Sequence, residues 1–306
     1  MILVTGGAGY IGSHACVELL ESGEQVVVFD NFSNSHRESL QRVTKICGKP
    51  VIAVEGDIRD QEAVERALAE HNCTAVIHFA GLKAVKDSVT EPLDYYDNNV
   101  VGTCCLLRAM QRKQLKRIIF NSSATVCGIP QFLPYTEAHP LNPICPYGRT
   151  KLVIEDMLRD LYASDQGWAI GILRYFNPVG AHQSGLIGED PRGVPNNLLP
   201  FVAQVAVGRR EKLNVWGGDY DTPDGTGIRD YIHVVDLAAE HVAALKSLDN
   251  PKCFAVNLGT GAGSSVLEVI KALERASGKT PRSRSGHVGR AIWTPPMPGQ
   301  PAPMNF

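Results

Sequence analysis

The fold is decided by residues 2–30, which read ILVTGGAGYIGSHACVELLESGEQVVVFD. The stretch begins with a short apolar run, Ile2 to Val4, of the kind that forms a strand buried on both faces of a parallel sheet. Glycines follow at a spacing of three, and from Tyr10 the apolar residues recur as on one face of a helix that closes near Gly23. A second apolar run ends on Asp30. The stretch therefore predicts a strand, a glycine turn, a helix and a second strand with an acidic tip.

This order of elements predicts a dinucleotide-binding turn. Gly6, Gly9 and Gly12 allow a sharp bend and a close approach to a pyrophosphate, and the helix amino terminus offers unpaired N–H groups and a positive dipole end. Asp30 is placed to accept hydrogen bonds from both ribose hydroxyls and to repel a 2′-phosphate. The sequence therefore favours NAD over NADP. The G-x-x-G-x-x-G spacing indicates one branch of the Rossmann folds.

Further apolar runs continue the alternation of strands and helices. They are found at 51–58, 74–79 and 117–122. This rhythm predicts an α/β fold, a Rossmann-type doubly wound parallel sheet that binds its ligand across the carboxyl ends of the strands. Asp57 and Ile58 end the first of these runs, where they are placed to contact an adenine edge. A helix N-cap for the segment near Gln61 is an equal alternative for the aspartate.

Small and polar residues follow the next two predicted strands. Ala80 and Gly81 let the backbone pass close to a pyrophosphate, and Lys83 comes next, where a solvated lysine is the more common case. Ser123 and Thr125 follow the fifth strand. Hydroxyl residues there usually cap or turn the chain. Here they lie at the predicted cofactor edge, which makes them candidates for binding a substrate hydroxyl.

Tyr147 and Lys151 lie four residues apart in a predicted helix that runs through Tyr162. Residues at i and i+4 share one helix face. Such a pair occurs by chance in many helices. Downstream of a dinucleotide turn and a Ser/Thr strand end, it becomes the predicted catalytic pair.

Composition and charge argue against several classes of function. A net charge of −2 gives no electrostatic reason to expect nucleic acid or an anionic membrane as a partner. No apolar run approaches the ~20 residues that span a bilayer, and because the first strand begins at Ile2 we expect no signal peptide. The eight cysteines are scattered without a C-x-x-C pair, and neither they nor the histidines have zinc spacing. We therefore expect a cytoplasmic protein with reduced thiols and no metal site.

The glycine triplet, the Ser/Thr strand end and the Y-x-x-x-K helix together resemble the extended short-chain dehydrogenase/reductase family. Over residues 1–279, longer segments are similar to the UDP-glucose 4-epimerases (UDP-galactose 4-epimerases) of that family. These segments are FAGLKAV at 79–85, YYDNNV at 95–100, LRYFNPVGAH at 173–182, GEDPRGVPNNLLP at 188–200, QVAVGRR at 204–210, DGTGIRDYIHVVDLA at 224–238 and NLGTG at 257–261.

The resemblance implies a reversible epimerisation of UDP-glucose and UDP-galactose at carbon 4, through a transient 4-keto sugar and tightly bound NAD, in galactose metabolism. It implies that Tyr147 is the base, that Lys151 binds the nicotinamide ribose, and that Ser123 and Thr125 contact the hexose. A free tyrosine has a pKa of about 10, and the positive charges of Lys151 and the oxidised nicotinamide are expected to lower it. We therefore expect a phenolate at neutral pH.

The resemblance also implies the binding residues. For NAD these are Gly6, Gly9, Tyr10, Ile11, Gly12, Asp30, Asn31, Asp57, Ile58, Phe79, Ala80, Gly81, Lys83, Asn98, Ser123, Tyr147, Lys151 and Phe176. For the UDP-hexose they are Lys83, Ser123, Thr125, Tyr147, Asn177, Asn197, Leu198 and Arg229. Without the resemblance, Arg229 is interpreted as forming a surface ion pair with Asp230. Asn197 is then interpreted as a loop cap, and Asn177 as part of a turn before Pro178.

Domain organisation and oligomeric state are further expectations. We expect a NAD-binding Rossmann domain at 1–175, a smaller C-terminal α/β lobe for the UDP-sugar at 176–279 with chain crossings back to the first domain, and a poorly ordered tail at 280–306. The helices expected at 92–113 and 148–163 carry apolar faces that either cover the sheet or, as the resemblance implies, form a four-helix homodimer interface.

Three positions depart from the family pattern. Asn121 stands where serine is usual, and Cys127 stands where tyrosine is common. After Lys279 the chain has six prolines in 27 residues, whereas the family continues with a strand, an arginine-containing segment and closing helices. Two rival interpretations remain. A sugar-nucleotide dehydratase needs an acid pair that 124–128 does not offer, and a NAD-binding protein without catalysis is compatible with the altered tail.

Overall fold

The computed structural model describes residues 1–216, 218–279 and 283–286. The chain divides into two compact units: the first contains Met1–Asp190 and Ile232–Leu258, and the second contains Pro191–Tyr231 and the described residues from Gly259 onwards. The sequence-based boundary after residue 175 thus falls inside the first unit. The first unit takes back Ile232–Leu258 because the strand at Lys252–Leu258 pairs in parallel with the strand at Ala169–Tyr175.

Strands and helices alternate through most of the described chain. The strands are β1 (Ile2–Thr5), β2 (Val26–Asp30), β3 (Ile52–Glu55), β4 (Ala75–His78), β5 (Arg117–Ser123), β6 (Ala169–Tyr175), β7 (Asn177–Val179), β8 (Leu213–Trp216), β9 (Ile228–His233), β10 (Lys252–Leu258), β11 (Gly263–Ser265) and β12 (Ser283–Gly286). The α-helices are α1 (Tyr10–Glu21), α2 (Arg37–Cys47), α3 (Gln61–Glu70), α4 (Val85–Thr90), α5 (Pro92–Tyr95), α6 (Gly102–Arg112), α7 (Pro146–Ser164), α8 (Leu198–Ala206), α9 (Val234–Lys246) and α10 (Val266–Ser277).

The sheet of the first unit has seven strands in the order β10-β6-β5-β4-β1-β2-β3. All of its pairings are parallel, and β1 lies between β2 and β4, with Thr5 opposite both Phe29 and His78. The predicted doubly wound parallel sheet is therefore confirmed. Parallel strands end at one edge, so the residues that follow β1, β2, β4 and β5 converge there.

Both faces of this sheet are covered by helices. Ile2 and Val4 of β1 contribute to one core with α1, α2 and α9, whereas Leu3 contributes to the other core with α3, α6 and α7. Successive side chains of a strand point to opposite faces, so a strand covered on both sides must be apolar throughout. This requirement explains the unbroken apolar run at the start of the chain.

The turn between β1 and α1 is closed by glycines that leave no room for a side chain. Gly6 has a φ of 68°, and a Cβ on it would lie 2.6 Å from the backbone nitrogen of Ala80. A Cβ on Gly12 would lie 2.4 Å from the carbonyl oxygen of Gly6. Gly9 occupies the N-cap position of α1 without a capping side chain. Gly6 and Gly12 therefore allow the tight turn, and Gly9 leaves the amino terminus of the helix open.

The long helix expected over 92–113 is interrupted. A π-helical segment, Tyr96–Val101, separates α5 from α6. Inside it the buried Asn99 side chain bonds to the backbone of Leu82 through both its oxygen and its nitrogen. Single-turn π segments within helices are frequent at functional sites. The interruption turns an asparagine towards the carboxyl edge of the sheet.

The second unit has its own small apolar core. Its buried members are Val202, Val205, Leu213, Val215 and Ile270. Helix α10 begins with a capping box, in which Ser265 and Glu268 each bond to the other's backbone N–H. In the tail expected to be poorly ordered, Ser283–Gly286 form β12, paired in parallel with β8. The rest of that tail, 280–282 and 287–306, lies outside the described residues.

No helix within the described part of the chain is long and apolar enough to cross a membrane.

Replacement of Gly12 by alanine should lower the free energy of unfolding by about 1–3 kcal/mol, because the new methyl group meets backbone that cannot move aside. The control is Gly227→Ala, since a Cβ there lies at an ordinary contact distance of 3.6 Å from Arg229. Urea unfolding followed by circular dichroism measures both variants. If Gly12→Ala is as stable as Gly227→Ala, the inference that this turn is too closely packed for a side chain is wrong.

Candidate active site

Three consecutive residues at the end of β5 face helix α7. The Lys151 ammonium donates a hydrogen bond to the carbonyl oxygen of Asn121 over 2.7 Å. The Ser122 hydroxyl donates to Glu155 over 2.5 Å. The Tyr147 and Ser123 hydroxyls are hydrogen-bonded to each other. The predicted pair, Tyr147 and Lys151, therefore lies on one face of a helix and against the predicted Ser/Thr strand end.

Local sequence explains why α7 begins at this point. Pro146 occupies the first helical turn, where its missing N–H costs nothing, and the Cys145 thiol accepts a hydrogen bond from the backbone N–H of Gly148 over 3.3 Å. A Cβ on Gly148 would lie 3.0 Å from the carbonyl oxygen of Thr125. Glycine here lets the helix start directly against the strand end, which puts Tyr147 within reach of it.

Burial shifts the pKa values of both members of the pair towards the neutral form. It raises the pKa of Tyr147 to about 12, although the hydrogen bond from Ser123 acts in the opposite direction. Burial lowers the pKa of Lys151 to about 8, opposed by the negative charge of Glu155. The expected decrease in the tyrosine pKa included the positive charge of the oxidised nicotinamide, so it stays a prediction for the protein with NAD bound.

Hydroxyl groups line the turn after β5. The Ser123 oxygen accepts a hydrogen bond from the backbone N–H of Thr125 over 3.2 Å, so Ser123 caps the 3₁₀ turn at Ala124–Cys127. The Thr125 hydroxyl is buried and has no hydrogen-bond partner in the described part of the chain. A buried hydroxyl without a partner is costly. Its chemistry fits a ligand hydroxyl.

Asp30 is fixed at the tip of β2. Its carboxylate accepts hydrogen bonds from the backbone N–H groups of Ala8 and Phe32, over 3.0 and 2.8 Å, and from the Ser35 hydroxyl over 2.9 Å. These donors orient the carboxylate beside the glycine turn. Its binding of ribose hydroxyls stays a prediction.

Asp57 does not cap a helix. Helix α3 is capped by Asp60, whose carboxylate accepts a hydrogen bond from Ala63, so the alternative role for Asp57 is wrong. Asp57 instead accepts hydrogen bonds from Arg59, which lowers its pKa to about 2, and one from the Asn31 amide over 3.3 Å. An ionised acid thus lies next to the buried Ile58.

The segment after β4 comes close to Lys151. The backbone N–H groups of Phe79 and Ala80 both donate to the carbonyl oxygen of Thr5. A Cβ on Gly81 would lie 3.8 Å from the ammonium nitrogen of Lys151. The glycine turn, this segment and the catalytic helix therefore meet at one edge of the sheet.

Several other predicted cofactor residues have defined contacts. Lys83 is half-exposed and forms an ion pair with Glu189, with 3.4 Å between nitrogen and oxygen. The Tyr10 hydroxyl donates to the carbonyl oxygen of Gly180 over 2.7 Å, and Ile11 follows Tyr10 in the first turn of α1. The Asn98 amide donates to Asn99 over 2.9 Å, and the Phe176 N–H donates to Leu258 over 3.3 Å.

Sequence reasoning missed two polar groups beside the pair. Asn99 joins the Leu82 backbone to the Thr150 hydroxyl of α7, and only its place in an Asn-Asn pair marks it in the sequence. Glu155 is completely buried and bonds to Arg174 over 2.5 Å. In the sequence, only its spacing of four residues from Lys151 indicates that Glu155 lies on the same helix face.

The predicted UDP-hexose residues divide between the two units. Asn177 is the exposed first residue of β7, so the turn alternative is wrong. In the second unit, Asn197 precedes α8 without making a capping hydrogen bond, and Leu198 is the first residue of that helix. Arg229 of β9 donates to the carbonyl oxygen of Ile228, while Asp230 accepts hydrogen bonds from Thr260 and Gly261. The role of these residues in binding remains a prediction.

Metal-ligating side chains do not cluster in the described ranges. No group of three or more histidine, cysteine, aspartate or glutamate residues there could hold a metal ion.

Comparison with known proteins agrees with this geometry. The curated UDP-glucose 4-epimerase of Bacillus subtilis is 60% identical over 279 residues, which are 91% of this chain and 82% of that protein. The human UDP-glucose 4-epimerase is 57% identical over 286 residues, with 91% of this chain and 82% of that protein covered.

Solved structures give the same result. The UDP-glucose 4-epimerase from Bifidobacterium longum, in complex with NAD+ and UDP, has a TM-score of 0.91 at 54% identity and covers 94% of this chain and 86% of that one. The enzyme from Stenotrophomonas maltophila, with NAD and formylated UDP-arabinopyranose, has a TM-score of 0.91 at 49% identity, covering 94% and 85%.

The sequence model of the NAD dependent epimerase/dehydratase family matches residues 2–259. With a match over this length, and with the glycine turn, the acid at the tip of β2 and the tyrosine–lysine pair brought to one sheet edge, the chain belongs to that family.

Proposed function

We propose that this protein is a UDP-glucose 4-epimerase, which interconverts UDP-glucose and UDP-galactose with NAD held permanently in the site. The observation that carries the proposal is the placement of Tyr147 and Lys151 on one face of α7, against Ser123 at the end of β5. Similarity to UDP-glucose 4-epimerases over nine-tenths of the chain gives the substrate class. A role in galactose metabolism follows from the proposed substrates. A cytoplasmic location is also part of the proposal, and it is supported by eight cysteines that are all free thiols.

The residues present fit NAD. A Cβ at Gly6 or Gly12 would fill the turn, and α1 begins at an N-cap without a competing side chain or an acid in its first turn, so its N–H groups suit a pyrophosphate. The fixed carboxylate of Asp30 suits the adenosine ribose, while Asp57 and Ile58 suit the adenine edge. Lys151 and the residues of 79–83 are proposed to hold the nicotinamide half, which is supported by the distance of 3.8 Å between a Cβ built on Gly81 and the Lys151 ammonium nitrogen. When bound, NAD supplies a hydride acceptor and donor for carbon 4.

Tyr147 is the proton carrier of the reaction. Its phenolate takes the proton of the 4-hydroxyl while carbon 4 is oxidised, which leaves Tyr147 protonated, and the tyrosine returns that proton when carbon 4 is reduced on the other face of the sugar. Ser123, which shares a hydrogen bond with Tyr147, orients the same hydroxyl, and the unpartnered Thr125 hydroxyl accepts or donates to the hexose. Lys151 supplies positive charge beside the tyrosine, with 5.9 Å between its ammonium nitrogen and the centre of the ring.

The second unit is proposed to bind the uridine diphosphate. Asn197, Leu198 and Arg229 belong to it. Arg229 carries the charge and the planar hydrogen-bond donors that a diphosphate requires.

Replacement of Tyr147 by phenylalanine should lower kcat by about 10²–10⁴-fold, because the proton carrier is lost while the ring and its packing remain. Tyr162→Phe, on the same helix, is the matched control and should leave kcat unchanged. Coupled assay of UDP-galactose conversion measures both. Near-normal turnover of Tyr147→Phe would contradict the assignment of Tyr147 as the base.

NAD should copurify with the protein, and UDP-galactose should be converted without added NAD. Acid release of the bound nucleotide and its enzymatic assay measure the first, and product analysis by chromatography measures the second. An unsaturated or deoxy sugar product would indicate a dehydratase instead, and bound NAD without any turnover would indicate a NAD-binding protein without catalysis.

We also propose a homodimer formed by the α5–α6 region and α7. Large apolar side chains are exposed on these elements, with Leu93 at 80%, Val101 at 47% and Val153 at 38% exposure. Exposed apolar residues on neighbouring helices suit a helix-to-helix interface.

Leu93→Asp should shift the protein from dimer to monomer, because burial of the new carboxylate would oppose association. Leu133→Asp is the control, since Leu133 is similarly exposed, at 72%, but lies in the loop before α7. Sedimentation velocity distinguishes the two states. An unchanged dimer in Leu93→Asp would place the interface elsewhere.

A further inference from the structure

Glu155 is a completely buried carboxylate one helical turn beyond Lys151. One of its oxygens accepts hydrogen bonds from the Ser122 hydroxyl, over 2.5 Å, and from the Arg174 Nε, over 2.9 Å. The other accepts from Arg174 Nη2 over 2.5 Å and from Arg159 Nη2 over 2.7 Å. Arg174 is itself buried, whereas Arg159 lies at the edge of the group. The carboxylate is therefore fixed and fully satisfied.

The same strand end that holds Glu155 also holds the catalytic pair. Ser122 lies between Asn121, whose carbonyl receives the Lys151 ammonium, and Ser123, which bonds to Tyr147. A displacement of Glu155 would therefore move Ser122 and the residues on both sides of it.

Glu155 is also the negative charge that acts on Lys151. Burial lowers the pKa of Lys151 to about 8, close enough to neutral pH for a further decrease to remove its proton, and Glu155 opposes that effect. Hydrogen bonds from Arg174, Ser122 and Arg159 hold the pKa of Glu155 below its usual range. The carboxylate therefore stays ionised although burial acts to raise its pKa.

The other titratable groups packed around the pair are neutral or face elsewhere. Burial lowers the pKa of His78 on β4 to about 3 and raises the pKa of Tyr175 on β6 and of the Cys127, Cys145 and Cys253 thiols. On α4, α5 and the π-helical segment, the acids are Asp87, which acts on Tyr95, Asp94, which is exposed, and Asp97, which pairs with Arg59.

We propose that Glu155 is a positioning residue for the reaction: held by Arg174 and Ser122, it keeps Lys151 charged and fixes the strand end that receives the Lys151 ammonium. The proposal rests on the proposed epimerase function and adds to it an electrostatic group behind the catalytic pair. It differs from a purely structural role because it predicts a change in pH dependence.

Glu155→Gln should move the basic limb of the pH profile of kcat/KM to lower pH by about 1–3 pH units. The sign follows because Lys151 is active when protonated, and loss of a nearby anion lets its proton leave at lower pH. Arg159→Gln is the matched control. It removes a hydrogen bond from the same carboxylate but keeps the negative charge, so the basic limb should stay in place or move upwards.

Glu155→Gln leaves Arg174 buried without a counter-charge, which destabilises proteins strongly. The double variant Glu155→Gln/Arg174→Gln removes both charges and should also move the basic limb downwards, by less than Glu155→Gln because the unpaired Arg174 cation is gone. NMR titration of the Lys151 side chain, assigned with Lys151→Arg, reports the lysine directly and without turnover. In the single and the double variant alike, the lysine should titrate at lower pH than in the unaltered protein.

Unchanged titration of Lys151 in both variants, with turnover reduced but the basic limb in place, would overturn the proposal and leave Glu155 as a structural residue. Failure of the epimerase assignment would look different. It would appear as normal turnover in Tyr147→Phe, or as absence of epimerisation in the unaltered protein, whereas the lysine titration does not depend on either.

Discussion

One hydrogen bond governs the arrangement of the site: the Lys151 ammonium on the carbonyl oxygen of Asn121. A buried cation is tolerated only when its charge and its N–H groups are satisfied. The carbonyl that satisfies it belongs to a residue whose side chain is also fixed, since the Asn121 amide nitrogen donates to His78 of β4 over 3.0 Å and its oxygen contacts His241 of α9 over 2.6 Å. Asn121 thus joins β4, α7 and α9, and the position of the catalytic helix follows from the sheet.

The electrostatics of this site disfavour the charged forms of both members of the pair. Burial opposes the phenolate at Tyr147 and the ammonium at Lys151, but a pKa of about 8 leaves the lysine mostly charged at neutral pH. Each would favour the other once formed, and the positive charge of a bound oxidised nicotinamide would favour the phenolate further. We therefore expect the tyrosine to ionise when Lys151 is charged and the cofactor is in its oxidised form.

Much of this was predictable from the sequence, because the deciding signals are local. Apolar runs of strand length gave β1, β2, β4 and β5, and the Y-x-x-x-K spacing gave the catalytic face of α7. Asp30 could be placed because it ends a strand that a glycine turn precedes.

The remainder depends on contacts between segments far apart in the chain. The bond from Ser122 to Glu155, and from Glu155 to Arg174, joins β5, α7 and β6, and no periodicity marks it. The burial of Tyr147, which raises its pKa, could not be predicted for the same reason, since spacing reveals a nearby lysine but not the depth of burial. Asn121 seemed a mild departure from serine in the sequence, yet it makes contacts that a serine side chain is too short to span.

The return of the chain to the first unit has a consequence for synthesis on the ribosome. β6 has β5 on one side from early on, but its other neighbour, β10, emerges only after the whole of Pro191–Tyr231 has been made. Until then β6 is an apolar edge strand whose second side is unpaired, and that side is a template for pairing with another nascent chain. The entropic cost of the long connection is small because it grows only with the logarithm of its length. The risk of aggregation therefore depends on how long β6 waits for β10, and slow translation of the second unit would prolong that wait.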